Sequence, residues 1–154
     1  MNAVTHFHAG WVSDGMTYRL VQDEGTGQVS QGEASWSGYT VSTEVLTHMA
    51  RRIGLLACVR GLRRHVALLL DEDRRVRLVE QRDDARRILA ESEAIWDFEE
   101  RLPLTVTVAE GRITARAAGV TLTAAGDSLP TRGAIGLLVE TGHAEFAAVR
   151  IRGV

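Results

Sequence analysis

Hydrophobic and polar positions alternate through most of the C-terminal half of the chain. Leu102, Leu104, Val106 and Val108 are separated by Pro103, Thr105, Thr107 and Ala109, a period of two that predicts a strand with one apolar face. Glu110-Gly111 reads as a tight turn, after which Ile113, Ala115 and Ala117 alternate with Arg112, Thr114 and Arg116. Ala118-Gly119 turns again into Val120, Leu122 and Ala124, which alternate with Thr121 and Thr123. Three short strands in this spacing predict an antiparallel meander. Gly126 to Gly133, with Pro130, reads as a loop. Ala134 to Glu140 predicts a strand, Thr141-Gly142 a turn, and Ala144 to Arg152 a last strand. Its apolar parity slips between Phe146 and Val149, which predicts a bulge near Ala147-Ala148.

The middle of the chain carries two competing periods. Val41, Val45, Met49 and Ile53 recur every four residues, a helical stripe, and Asp83 to Ala94 is rich in helix formers. Gly54, the β-branched run Thr40-Val41-Ser42-Thr43 and the strand-like stretch His65 to Leu70 argue for strands instead. Pattern alone leaves both open over Thr43 to Cys58. Val76 to Val79 reads as the return leg of a hairpin with a solvated tip at Asp71-Glu72-Asp73.

A chain of 154 residues is about one domain and buries enough surface to need no cross-links. Apolar content of 45% and charged content of 25% exclude a disordered polymer. Net charge is −2 and all 18 basic residues are arginine, so no long-range field favours nucleic acid or an anionic membrane. The single cysteine, Cys58, excludes an intrachain disulfide and lies in an apolar stretch, which predicts a buried thiol. Met1 to Trp11 lacks the basic and apolar regions of a secretory signal, and no apolar run reaches membrane-spanning length. The expected location is the cytoplasm.

No catalytic motif stands out. Gly25-Thr26-Gly27 fits neither a dinucleotide fingerprint nor a phosphate-binding loop and reads as a β-turn. His6 and His8 share a face if extended, but no spacing demands Asp14 or His143 as a third metal ligand. Glu93, Asp97 and Glu99 would share a face of a strand, yet their spacing is too long for the paired carboxylates of a retaining glycosidase. The Arg-Arg pairs beginning at Arg51, Arg63, Arg74 and Arg86 are interleaved with acids, which predicts a solvated surface rather than a nucleic-acid face. Trp11, Trp36, Tyr39 and Trp96 are candidate sugar-stacking rings; Trp36, in a Ser/Gly-rich turn, is the one expected at the surface. No cofactor or metal is expected.

Tyr18-Arg19-Leu20-Val21-Gln22, Gln31-Gly32, Trp36 to Ser42, Ile53-Gly54-Leu55, Gly61 to Arg64, Ala67 to Leu70, Val76 to Val79 and Leu89-Ala90-Glu91 together resemble a known family. It is the concanavalin A-like β-sandwich domain beside the catalytic domain of some bacterial ADP-ribosylglycohydrolase-family proteins. Laminin-G-like and keto-disaccharide-hydrolase sandwiches share the layout. The resemblance implies an all-β jelly roll of two curved antiparallel sheets over residues 17–154, with 1–16 leading into it. It turns Val41–Thr47 and Arg86–Glu91 into strands. It also implies a non-catalytic accessory module for a glycan or a ribose-containing ligand, with a hydrolase as domain or partner. The alternatives are a divergent sandwich glycosidase and a structural or oligomerisation module. On such a sandwich the ligand would lie on the concave sheet. Arg60 and His65, joined by the short connection Gly61 to Arg64, would meet at its end, with Trp36 as a flat surface.

Overall fold

The computed structural model describes the backbone of residues 5–12 and 15–153, and the side chains of residues 21, 22 and 25–153. The side chains of His6, His8 and Trp11, and all of Asp14, lie outside the described residues. Every regular element among the described residues is a strand. In chain order they are β1 (Thr5–Val12), β2 (Gly15–Gln31), β3 (Tyr39–Gly61), β4 (Arg64–Asp71), β5 (Arg75–Arg82), β6 (Ala85–Glu93), β7 (Arg101–Ala109), β8 (Arg112–Ala117), β9 (Val120–Ala125) and β10 (Ala134–Gly153).

All pairings are antiparallel. Three long strands, β2, β10 and β3, lie side by side and serve both layers. Their ends nearest β4 form a front sheet in the order β2-β10-β3-β4-β5-β6. Their other ends form a back sheet in the order β1-β2-β10-β3-β7-β8-β9. The all-β jelly-roll expectation holds, as does the β7-β8-β9 meander.

The helical stripe is not a face. Val41, Val45 and Ile53 are fully buried while Met49 is 71% exposed, and β3 pairs with β10 along its whole length. Sheet burial outweighs the weak helix preference of this stretch. The turn expected at Thr141-Gly142 is a bulge within the continuous β10. There Thr141 and Gly142 have φ of 40° and 147°, and the strand passes from one sheet to the other. A Cβ on Gly142 would sit 2.1 Å from the Met49 carbonyl, so this crossing demands glycine. Gly25-Thr26-Gly27 likewise lies inside β2 rather than in a β-turn, with Gly25 at φ 78°. The bulge expected at Ala147-Ala148 is present as a register shift between Ala147 and Arg150.

The core lies between the layers. Val41, Leu104, Val106, Ile113 and Phe146 of the back sheet meet Ile53, Leu55, Leu68, Leu70 and Leu78 of the front. Tyr39 ties its edge together: its hydroxyl donates to the Gly133 carbonyl at 2.9 Å and accepts from the Cys58 amide at 2.9 Å. Cys58 is buried as expected, and burial pushes its thiol up to about 11.

Candidate functional site

The front sheet is apolar on both faces at its centre. Val66, Leu68 and Leu70 of β4 enter the core, yet the intervening Ala67 and Leu69, which face outwards, are each only 1% exposed. With Leu56, Val79 and Leu138 they form a separate apolar floor. Gly54 lets this floor close, since a Cβ there would meet Leu69 Cδ2 at 2.8 Å.

Register arranges the outward residues in rows across the strands. At one rim run Thr26, Glu140, Arg52 and Asp71. The next row carries Leu138, Gly54 and Leu69, then Arg77 and Glu91. A third carries Gly136, Leu56, Ala67, Val79 and Ile88. At the far rim stand His65, Gln81 and Arg86. The site is therefore an apolar floor between two polar rims.

The first rim is a saturated ion network. Asp71 expected at a solvated hairpin tip is instead buried, because two arginines close over it. Arg52 Nε donates to Asp71 Oδ1 at 2.6 Å and its Nη1 to Glu140 Oε2 at 3.2 Å. Arg77 donates to the other Asp71 oxygen, to Asp73 at 2.8 Å and to Glu91 at 2.8 Å. Hydrogen bonds to Asp73 and Asp71 raise Arg77 well above the ordinary guanidinium range, and the bond from Arg77 holds Asp73 below the ordinary carboxylate range. Burial works against the charge of Arg52, but Asp71 and Glu140 more than compensate and raise it. These side chains enclose a hollow of about 150 Å³ with Arg51 and Glu72.

The second rim is unsaturated. Arg86 donates Nε to Gln81 Oε1 at 3.2 Å and holds no carboxylate. Desolvation, then the charge of Arg52, lower its affinity for its proton. His65 is 6% exposed, and burial followed by the charge of Arg86 lowers it to about 4, so it is neutral at pH 7. Its Nδ1 is buried without a partner.

The hairpin expected between Arg60 and His65 exists, with Gly61 paired to Arg64. Arg60 and His65 line one small hollow of about 10 Å³, with Cys58, Gln81 and Pro130 among its walls, room for about one water molecule. Trp36 does not line it. Trp36 is half-buried rather than exposed, packed on the core and against Gly32, where a Cβ would lie 2.4 Å from the ring.

The carboxylates Glu93, Asp97 and Glu99 do not converge. Glu93 ends β6 facing Arg75 at 3.5 Å, Asp97 binds Arg74 at 2.6 Å, and Glu99 binds His48 at 3.1 Å. The Phe98 amide, then Arg74, hold Asp97 below its ordinary range. Trp96 is buried, so it offers no stacking surface. Among the described residues no group of histidine, cysteine and acidic side chains fits a metal; His143 stacks on His48 at 4.5 Å. Sequence reading missed Arg52, Arg77, Gln81 and Arg86. Their signal was parity: Arg77 and Gln81 flank the outward Val79, Arg86 lies two residues before the outward Ile88, and Arg52 lies two residues before Gly54.

No family model matches the chain, and no curated protein does. Solved structures do. The chain is similar to the carbohydrate-binding module CBM66 from Bacillus subtilis, at 17% identity and a TM-score of 0.78 over 98% of this chain and 95% of that one. It is similar to the exoplasmic/lumenal domain of VIP36 in its Ca2+/Man3GlcNAc-bound form, at 12% identity and a TM-score of 0.69 over 99% and 84%. The Caenorhabditis elegans galectin LEC-6 aligns at 11% identity and a TM-score of 0.62 over 82% and 89%. These likenesses establish the fold as a lectin-like β-sandwich.

Proposed function

We propose that the chain is a non-catalytic carbohydrate-binding module whose ligand lies on the outward face of the front sheet. The observation that carries this reading is the exposed Arg86, which holds no carboxylate, at one rim of the outward face of the front sheet, beside the closed apolar layer of Leu56, Ala67, Leu69, Val79 and Leu138. Arg86, whose only hydrogen bond among the described residues runs from Nε to Gln81, supplies open guanidinium donors for sugar hydroxyls at this rim. The names of the three similar structures support a glycan over other ligands. Among the described residues Glu93, Asp97 and Glu99 do not converge, which favours binding over hydrolysis.

The ligand is a glycan or a ribose-bearing molecule. Arg60 joins the site at the His65 end. Association with an ADP-ribosylglycohydrolase-type enzyme in the cytoplasm rests on the sequence resemblance alone, and co-purification from the native cell tests it. Glycan-array screening followed by calorimetric titration of the best oligosaccharide, with ADP-ribose in parallel, tests the binding. Arg86→Ala lowers affinity by about tenfold, the loss of one charge-assisted hydrogen bond, without lowering the unfolding temperature. If neither ligand class binds saturably, the module is structural; an affinity unmoved in Arg86→Ala, Arg60→Ala and Trp36→Ala places the site elsewhere.

A further inference from the structure

The outward face of the back sheet has a different chemistry. Register aligns Arg152, Thr40, Thr107, Thr114 and Thr123 in one row across β10, β3, β7, β8 and β9. The adjacent row is Arg150, Ser42, Thr105, Arg116 and Thr121. Arg112 follows beside them on β8. No carboxylate stands in either row. Arg112, Arg116, Arg150 and Arg152 are exposed, and none holds an ion-pair or hydrogen-bond partner among the described residues. Strand spacing puts the β10 and β8 arginines about 14 Å apart, with a floor of hydroxyls between them. Thr40 and Thr107 already share a hydrogen bond at 3.0 Å across that floor. Beside Arg150 and Arg152 opens a hollow of about 580 Å³, lined also by Thr40, Ser42, Thr105 and the apolar Ile151.

The geometry points to a second binding face, for a polysaccharide that carries carboxylate or sulfate groups. Two clusters of free guanidinium match anionic groups spaced along a chain, each bound by the planar fork. The hydroxyl floor between them suits the sugar hydroxyls of the intervening residues. Neither row contains an aromatic side chain on which a nucleobase could stack, which separates this face from a nucleic-acid surface. Ile151 is the large apolar side chain at this hollow, and a single such residue does not anchor a surface to a lipid layer. The site shares no residue with the front-sheet floor and stands whether or not that floor binds a neutral glycan.

Calorimetry or affinity chromatography with size-defined heparin oligosaccharide is the test, with neutral dextran and a DNA duplex of equal charge as controls. Heparin binds with an affinity that falls as salt rises, dextran does not bind, and the duplex binds more weakly. The Arg150→Ala/Arg152→Ala and Arg112→Ala/Arg116→Ala pairs each lower heparin affinity by about tenfold, while Arg86→Ala leaves it unchanged. Replacement of Arg150 and Arg152 by lysine recovers part of the loss, because charge returns without the fork. The proposal is overturned if heparin does not bind, if both double variants bind it as the parent does, or if the duplex binds equally well. Loss of heparin binding in Arg86→Ala would assign the anion to the front sheet.

Discussion

On the front sheet Arg52, Arg75 and Arg77 each hold at least one carboxylate, whereas on the back sheet Arg112, Arg116, Arg150 and Arg152 hold none. The same side chain therefore does two jobs in one small domain. Around Asp71 guanidinium groups are fixed by several bonds each and form part of the wall of a preformed hollow. Across the back sheet they stand free over hydroxyls and contribute little to stability. Paired arginine shapes a surface; unpaired arginine leaves its donors open to a ligand.

The sharpest way to break this contrast is to remove Asp71. Asp71→Ala removes the buried carboxylate that Arg52 and Arg77 share and leaves them only Glu140, Asp73 and Glu91, at a cost of about 3 kcal/mol in chemical denaturation. A cost near zero would make the front network as dispensable as the back-face arginines.

The second test uses pH. His65 has a folded pKa of about 4, below its unfolded value, so the unfolded chain binds the extra proton between those values. Its contribution is fully present above about pH 6.5 and is lost as pH falls through 4, on the order of 3 kcal/mol in total. Denaturation midpoints of the parent fall across this window, and those of His65→Gln fall less. Equal slopes would mean that His65 is not held neutral by its neighbours.

A third, smaller effect concerns Cys58. The thiol resists alkylation at pH 8 in the native protein and reacts on unfolding, because burial keeps it protonated. Rapid labelling of the folded protein would place it on an open groove. The smallest effect belongs to the back sheet: Arg112→Ala/Arg116→Ala shifts stability by within about 0.5 kcal/mol. A larger loss would reveal a structural role for those side chains and blur the division between the faces.

The parts legible in the sequence are those governed by neighbours. Leu102 to Ala124 shows its strands through simple alternation and its turns through Glu110-Gly111 and Ala118-Gly119. The Arg60–His65 connection is short enough to force a hairpin. The crossings were illegible because a bulge with positive φ uses the same residues as a turn; Thr141-Gly142 and Gly25 gave the turn signal inside continuous strands. Asp71 looked solvated because its acidic neighbours hide the fact that Arg52, 19 positions away, covers it. The four free arginines of the back face were equally hidden, since Arg112 and Arg116 meet Arg150 and Arg152 only through β7 and β3.

The sharing of β10 by both layers has a consequence for how the molecule comes into being. β10 lies between β2 and β3 along the front sheet and again along the back. Until Ala134–Gly153 leaves the ribosome, β2 and β3 have no common partner, and neither layer has a centre. The runs β3-β4-β5-β6 and β7-β8-β9 can pair early from local contacts, but β2 joins β3 only through β10, the most distant closure. The nascent chain therefore carries an open β3 edge until β10 is made, and the arrival of that one strand completes both sheets at once.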